Sequence, residues 1–270
     1  MEMNEIVPKL KLYLLDMDGT LYLGDRLYPF TIEFLQAIRE SGGHYLFMTN
    51  NSSKSVSAYI QKLAKFGIAA TKEDFMTSSQ ATAYYLKKHH WGKTLYLCGT
   101  ESFKQELEEQ GFTVSSDISK TECIVMGFDT ELTFQKLHDV SYLLLTQPDL
   151  PYIASNPDLV CPTEFGSVPD CGSVCHMIYN ATGKKPIVIG KPEPLMPQLA
   201  MDKMGVKPEE TCVIGDRIYT DVKSGLAAGT WAALVLSGET TLEILEQSPE
   251  KPHLVLQDAG LLIPHIQAKG

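Results

Sequence analysis

Short apolar runs alternate with longer segments of helical period along most of the chain, the pattern of a parallel sheet with helices on its faces. The first run, Leu10 to Leu15, stops abruptly at Asp16, and a helix is expected from about Pro29, which suits a first helical turn, to Glu40. A second strand, His44 to Met48, runs into Thr49-Asn50-Asn51-Ser52-Ser53, with a helix beginning near Lys54. The same alternation returns late in the chain. Pro186 to Ile189 reads as a strand before Gly190-Lys191-Pro192-Glu193-Pro194 and a helix. Thr211 to Ile214 reads as another, before Gly215-Asp216-Arg217 and a helix through Ala228. Ala232 to Leu236 and His253 to Leu256 are the last strands expected.

Between these halves lies a further α/β block with strands Thr94 to Cys98, Glu122 to Gly127 and Tyr152 to Ala154, and helices near 80–90, 101–110, 133–146 and 173–182. Returning from Thr49 to a neighbouring strand needs only one or two crossovers of roughly 30 residues each. The stretch to Lys191 is several times longer, so an insertion belongs there. The expected organisation is a core of residues 1–79 and 184–270 and an inserted α/β domain of residues 80–183. Within the insert, Asn156 to Ser173 shows neither helical nor strand period and is rich in Pro, Gly and Cys, as binding loops on rigid scaffolds often are.

Composition narrows the class. The 270 residues are 44% hydrophobic and 21% charged, an ordinary globular balance that allows a sizeable core. A formal charge of -10 repels phosphate backbones and argues against nucleic-acid binding. An anionic substrate would need local positive charge from the site itself. The start of the chain has no basic segment leading into a long apolar run, so neither a signal peptide nor a membrane span is expected. Six scattered cysteines read as reduced thiols, and a cytoplasmic location follows as the expectation.

Ligands of an open parallel sheet bind outside the carboxyl ends of its strands, and four such ends carry polar groups. Asp16 directly follows a buried strand, where a carboxylate can act as a nucleophile and form an aspartyl-phosphate. Asp18, on the same side of an extended chain, can protonate a leaving group and then activate water. The same residues also fit a polar turn with Gly19 at positive φ, or a fragment of a calcium loop whose other ligands are missing. Thr49, Asn50 and Asn51 offer a hydroxyl and backbone N–H groups to an anion at a helix start, which equally describes an ordinary cap by Ser52 or Ser53. Lys191 can neutralise phosphate oxygens or simply be solvated. Asp216 can join Asp16 on Mg²⁺, and Asp221 can support that site or complement a helix start. Cys171, Cys175 and His176 lack the fourth ligand and paired spacing of a zinc site.

In this order, DMDGT, TNNSS, GKPEP and GDRIYTD resemble the four motifs of the haloacid-dehalogenase superfamily of phosphatases, in the form used by the NagD-like, p-nitrophenyl-phosphatase family (class IIA). The resemblance spans almost the whole chain, including Ala154-Ser155-Asn156-Pro157-Asp158. It implies a Rossmann-like α/β core with an inserted α/β cap, and a phosphatase of small phosphate monoesters such as sugar phosphates, nucleotides or phosphoglycolate-like acids. It further implies Asp16 as nucleophile and Asp18 as general acid/base. Mg²⁺ would be held by the Asp16 carboxylate, the Asp18 main-chain carbonyl and Asp216, with Asp221 in support. Thr49, Asn50, Asn51 and Lys191 would hold the phosphoryl group. Substrate-reading candidates in the cap are Asn156, Glu164, Phe165 and Asp170, and Cys171 in Asp170-Cys171-Gly172-Ser173 departs from the family's small-residue turn. Similar proteins include cap-mediated homodimers. A phosphotransferase or mutase on the same chemistry, and a noncatalytic phosphometabolite-binding protein, are the alternatives. Asp18 speaks against the first, and the intact Asp16, Asp18, Lys191 and Asp216 set against the second.

Overall fold

The structure, a computed structural model, describes residues 3–52, 56–163 and 165–268; the expected helix start at Lys54 and the candidate Glu164 lie outside them. The chain packs as two compact units. One comprises Met1–Thr49, Ile60–Met76 and Lys191–Gly270, the other Asn50–Tyr59 and Thr77–Gly190.

The first unit is built on a six-stranded sheet in the order Leu254–Leu256, Trp231–Val235, Thr211–Gly215, Leu12–Leu15, His44–Thr49, Phe75–Thr77. Every pairing from Leu254–Leu256 through to His44–Thr49 is parallel. Leu12–Leu15 sits at the centre because its four side chains are all buried, as expected of a strand covered on both faces. It starts two residues later than the apolar run suggests. Val7–Lys9 forms a 3₁₀ turn holding Pro8, and the Leu10 N–H closes it onto the Val7 carbonyl. In register, Leu15 faces Ile214 on one side and Phe47 on the other. Asp16, Asp216 and Thr49 therefore leave the sheet at one edge. Pro29 precedes its helix, which runs Thr31–Glu40 and buries Phe34, Leu35 and Ile38.

The second unit has its own parallel sheet, in the order Ile187–Val188, Tyr152–Ala154, Cys123–Met126, Thr94–Cys98, Thr113–Val114. This corrects one expectation: the strand before Lys191 belongs to this sheet and not to the first. Ile187 and Val188 pair with Ile153 and Ala154, and the ladder continues through Ile189 N–H to Ala154 O and Gly190 N–H to Ser155 O. Lys191 thus follows a strand of the second unit while belonging to the first. A second correction concerns Asn156 to Ser173, which is not aperiodic: Val160–Thr163 and Gly166–Pro169 form an antiparallel hairpin. The core of this unit joins Ile124 and Met126 of the sheet to Val140, Leu143, Cys171, Val174, Cys175 and Ile178 of the helices Phe134–Thr146 and Cys171–Thr182. Burying each large aliphatic side chain contributes roughly 1.5–3 kcal/mol. Cys171 and Cys175 are therefore packing residues here, and no disulfide joins any of the cysteines among the described residues.

Candidate active site

The first unit gathers Asp16, Lys191, Asp216 and Asp221. The Asp16 N–H donates to Ile214 O at 2.9 Å, so the sheet ladder fixes its backbone. The Lys191 ammonium, only 3% exposed as a residue, donates to Asp16 Oδ1 at 2.8 Å, to Asp221 Oδ1 at 2.5 Å and to the Met48 carbonyl at 3.2 Å. These three acceptors among the described residues hold the ammonium in position. Asp221 lies in the π-helical turn Ile218–Val222, and its other oxygen accepts the Arg217 N–H at 3.2 Å. Thr49 is the last, half-buried residue of its strand, next to Met48. Asp18 is exposed and accepts the Gly24 N–H at 3.3 Å, below the hairpin of Tyr22–Leu23 and Arg26–Leu27.

The cluster is electrostatically unfinished. Burial pushes the Asp16 carboxyl up to about 7; Lys191 pulls it back, and Asp221 and Asp216 push it further. Burial and then Asp221 raise Asp216 to about 6, against the Glu239 N–H that its carboxylate accepts. Burial alone would lower Lys191, yet Asp16 and Asp221 overrule it and hold the ammonium above its usual range. Ligand oxygens of Asp16, Asp216 and Asp221 all lie within 4.8 Å of one another. Three carboxylates against one ammonium leave negative charge with no counterpart among these four groups.

A hard divalent cation fits this set. The donors are all oxygens, as Mg²⁺ requires. Asp216 Oδ1 is buried without a hydrogen-bond partner among the described residues, a costly arrangement for a carboxylate oxygen unless something else engages it. The backbone leaves room for this carboxylate by using glycine: a Cβ on Gly19, whose φ is +86°, would stand 2.3 Å from Asp216 Oδ2. Asp221 is the poorest ligand of the three, because its oxygens already serve Lys191 and Arg217.

Comparison with known proteins agrees with this geometry. Residues 13–113 match the family model described as haloacid dehalogenase-like hydrolase, and residues 188–261 match a HAD-hydrolase-like model. The 5'-nucleotidase YutF of Bacillus subtilis (strain 168) is 34% identical over 254 residues, covering 94% of this chain and 98% of that protein. The chain belongs to the haloacid dehalogenase-like hydrolase family. An acid sugar phosphatase of Staphylococcus haemolyticus is 31% identical over 255 residues, 94% of this chain and 96% of its own. The crystal structure of a 4-nitrophenylphosphatase from Thermotoga maritima superposes with a TM-score of 0.90 at 39% identity, covering 97% of this chain and 99% of that one. NagD proteins are also among the structural neighbours. As a member of this group the chain is an enzyme of the phosphoric monoester hydrolase class with an α/β fold. Because relatives of similar identity carry different substrate names, similarity alone assigns none to this chain.

The remaining candidates of this hydrolase lie in the second unit. Asn50 is buried there; its side-chain amide donates to both oxygens of Asp158, at 3.1 and 3.2 Å, and its carbonyl accepts from Ser78 Oγ at 2.6 Å and Asn156 Nδ2 at 3.0 Å. Asn156 is fully buried and accepts the Asp158 N–H at 3.0 Å. Asn51 is half-buried next to Asn50. Asp170 caps the helix Cys171–Thr182 by accepting the Cys171 N–H. Phe165, at the turn of the hairpin, is 82% exposed. Asp16, Lys191, Asp216 and Asp221, all named from the sequence, are neighbours in the structure; Glu239, whose backbone N–H donates to Asp216 Oδ2 at 2.7 Å, was not among the residues the sequence pointed to. Its one signal was Gly238 after the Trp231–Val235 strand: a Cβ there would lie 2.0 Å from the same oxygen.

Proposed function

We propose that this enzyme is an Mg²⁺-dependent phosphatase of small phosphate monoesters that works through an aspartyl-phosphate on Asp16. The observation that carries the reading is the buried cluster in which Lys191 grips Asp16 and Asp221 while Asp216 Oδ1 stays unengaged. Bound Mg²⁺ would neutralise charge on the transferring phosphoryl group. The Asp16 carboxylate, the Asp18 main-chain carbonyl and Asp216 are its ligands in this reading, with Asp221 behind them.

An Asp16 oxygen attacks phosphorus and the ester oxygen leaves, taking a proton from the Asp18 carboxyl. Asp18, now a carboxylate, removes a proton from water as that water attacks the phosphoaspartate. Inorganic phosphate departs and the Asp16 carboxylate returns. Lys191 orients Asp16 through the 2.8 Å bond and supplies fixed positive charge. Thr49, Asn50 and Asn51 complete the grip on the phosphoryl oxygens.

The first unit is the catalytic core in this reading. The second is the cap, approximately the insert of residues 80–183, and it selects among leaving groups through Asn156, Glu164, Phe165 and Asp170. Small phosphorylated metabolites of the sugar phosphate, nucleotide or phosphoglycolate-like kinds are the substrates, and the enzyme acts in the cytoplasm as a homodimer formed through the cap. The test is a kinetic screen against a panel of such esters with Mg²⁺, repeated in excess EDTA. Chelation should abolish turnover and added Mg²⁺ restore it, and Asp216→Ala should remove activity or raise the Mg²⁺ requirement. Full turnover in chelator, or an unchanged metal titration in that variant, contradicts the reading.

A further inference from the structure

Asp216 is held by a bracket of four residues, Ser237-Gly238-Glu239-Thr240, that follows the Trp231–Val235 strand. The Glu239 N–H donates to Asp216 Oδ2 at 2.7 Å, and the Thr240 N–H donates to the Asp216 carbonyl at 3.2 Å. Thr240 Oγ1 accepts the Ile218 N–H at 3.1 Å. At its other end, Ser237 Oγ donates to the Gly19 carbonyl at 2.7 Å, and the Ser237 carbonyl accepts from the Tyr28 hydroxyl at 2.5 Å. The bracket therefore ties the turn after Asp18 to the turn after Asp216.

The Glu239 side chain locks this bracket from outside. Its Oε2 accepts from Arg217 Nε at 2.9 Å, and its Oε1 accepts from the Tyr219 hydroxyl. Both partners come from the segment directly after Asp216, so a closed ring runs from Asp216 through Arg217 to the Glu239 carboxylate, and back through the Glu239 N–H to the Asp216 carboxylate. The ring fixes Oδ2, and with it the direction in which the buried, unbonded Oδ1 points. Arg217 and Glu239 have 38% and 45% exposed side chains, and exposed ion pairs add little to global stability. A latch placed there acts on local geometry more than on folding.

We propose that Glu239 is a positioning residue for the cation site: clamped by Arg217 and Tyr219, it holds the amide that aims Asp216. The inference rests on Asp216 being a metal ligand, as proposed above. Outer partners of this kind commonly change metal affinity by about 10–100-fold when removed. Mn²⁺ is the probe, titrated into the full-length protein and read as free ion by electron paramagnetic resonance, with Mg²⁺ as competitor. Glu239→Ala should weaken Mn²⁺ binding by about tenfold or more. Its metal-free thermal unfolding should match wild type, and its kcat should recover at saturating metal. Tyr219→Phe, which removes one hydroxyl, should weaken binding by a smaller step in the same direction, and it carries the test if Glu239→Ala does not fold. If both variants bind Mn²⁺ as wild type does while Asp216→Ala loses the ion, the latch is refuted and the metal assignment stands. If wild type has no Mn²⁺ site sensitive to Asp216→Ala, the latch and the assignment fall together.

Discussion

Asp216 in the first unit and Asp170 in the second are both buried, and burial pushes each carboxyl up to about 6. Their oxygens are used differently. Asp170 accepts the Cys171 N–H, is stabilised further by Asn156, and opens a helix whose apolar face fills the second unit's core. Asp216 accepts one backbone N–H and keeps Oδ1 buried with no partner, beside two further carboxylates and a lysine. A raised pKa is thus common to a helix anchor and a candidate metal ligand; the unengaged oxygen and the adjacent buried cation separate them. The same distinction applies to Lys191, whose three acceptors show it to be part of a charge cluster and not a solvated surface residue.

The largest effect should come from breaking the cluster at its cation. Lys191→Met leaves Asp16 and Asp221 facing each other without a counterion, and uncompensated buried charge of this kind costs about 3–5 kcal/mol. Urea unfolding should show that loss at neutral pH. It should grow above about pH 7 and shrink below it, because Asp16 is pushed up to about 7 even with Lys191 present and protonating it removes one of the unpaired charges. Turnover should fall by at least roughly a hundredfold, as when a single preorganised donor is deleted. Wild-type stability and turnover in this variant would show the cluster to be incidental.

Asp170 sharpens the comparison from the other side. Its folded pKa of about 6 lies above the carboxyl model value of 3.8, so the folded state favours the protonated form. That contribution is fully present below about pH 4 and is lost as pH rises through about 6, on the order of 2–3 kcal/mol in total. Asparagine caps helices about as well as aspartate and does not titrate. Asp170→Asn should therefore gain stability relative to wild type as pH rises from about 4 to 6, and then hold level. Urea midpoints across that range are the measurement; a constant difference between the two proteins would place the burial cost elsewhere.

The smallest effect is expected at Phe165, exposed in the second unit and outside the four candidate motifs. Phe165→Ala should lower kcat/KM for the best metabolite by tenfold or more, about 1.4 kcal/mol, and spare a small aryl phosphate. Equal losses on both substrates, or none, would move the specificity surface away from the hairpin.

The candidate constellation was legible because its residues sit next to strong strand signals. Leu12–Leu15 is apolar throughout and ends at Asp16, and Thr94–Cys98 and Tyr152–Ala154 have the bounds their patterns suggest. What escaped was information that two or three residues cannot carry. Ile187–Val188 is too short to reveal which sheet it joins, and only its pairing with Ile153 and Ala154 decides. The hairpin after Asn156 was hidden by Pro162, Pro169 and Gly166, which interrupt the apolar alternation of a strand. Glu239 was invisible for a different reason: it reaches Asp216 through a main-chain N–H, which any residue except proline supplies. Side-chain type reports on catalytic groups far better than on the backbone that aims them.

The most direct test of the account is to trap the phosphoryl group on the protein. Asp18→Asn keeps the nucleophile while removing the acid/base that hydrolyses the intermediate. This variant, mixed with a ³²P-labelled aryl phosphate and Mg²⁺ and quenched in acid, should carry label that hydroxylamine releases. Reduction with borohydride should then convert the side chain at position 16 to homoserine, read by peptide mass spectrometry. Label on any other residue, or phosphate release by the wild-type enzyme with no labelled protein at any time point in either form, would contradict the assignment of Asp16 as the nucleophile.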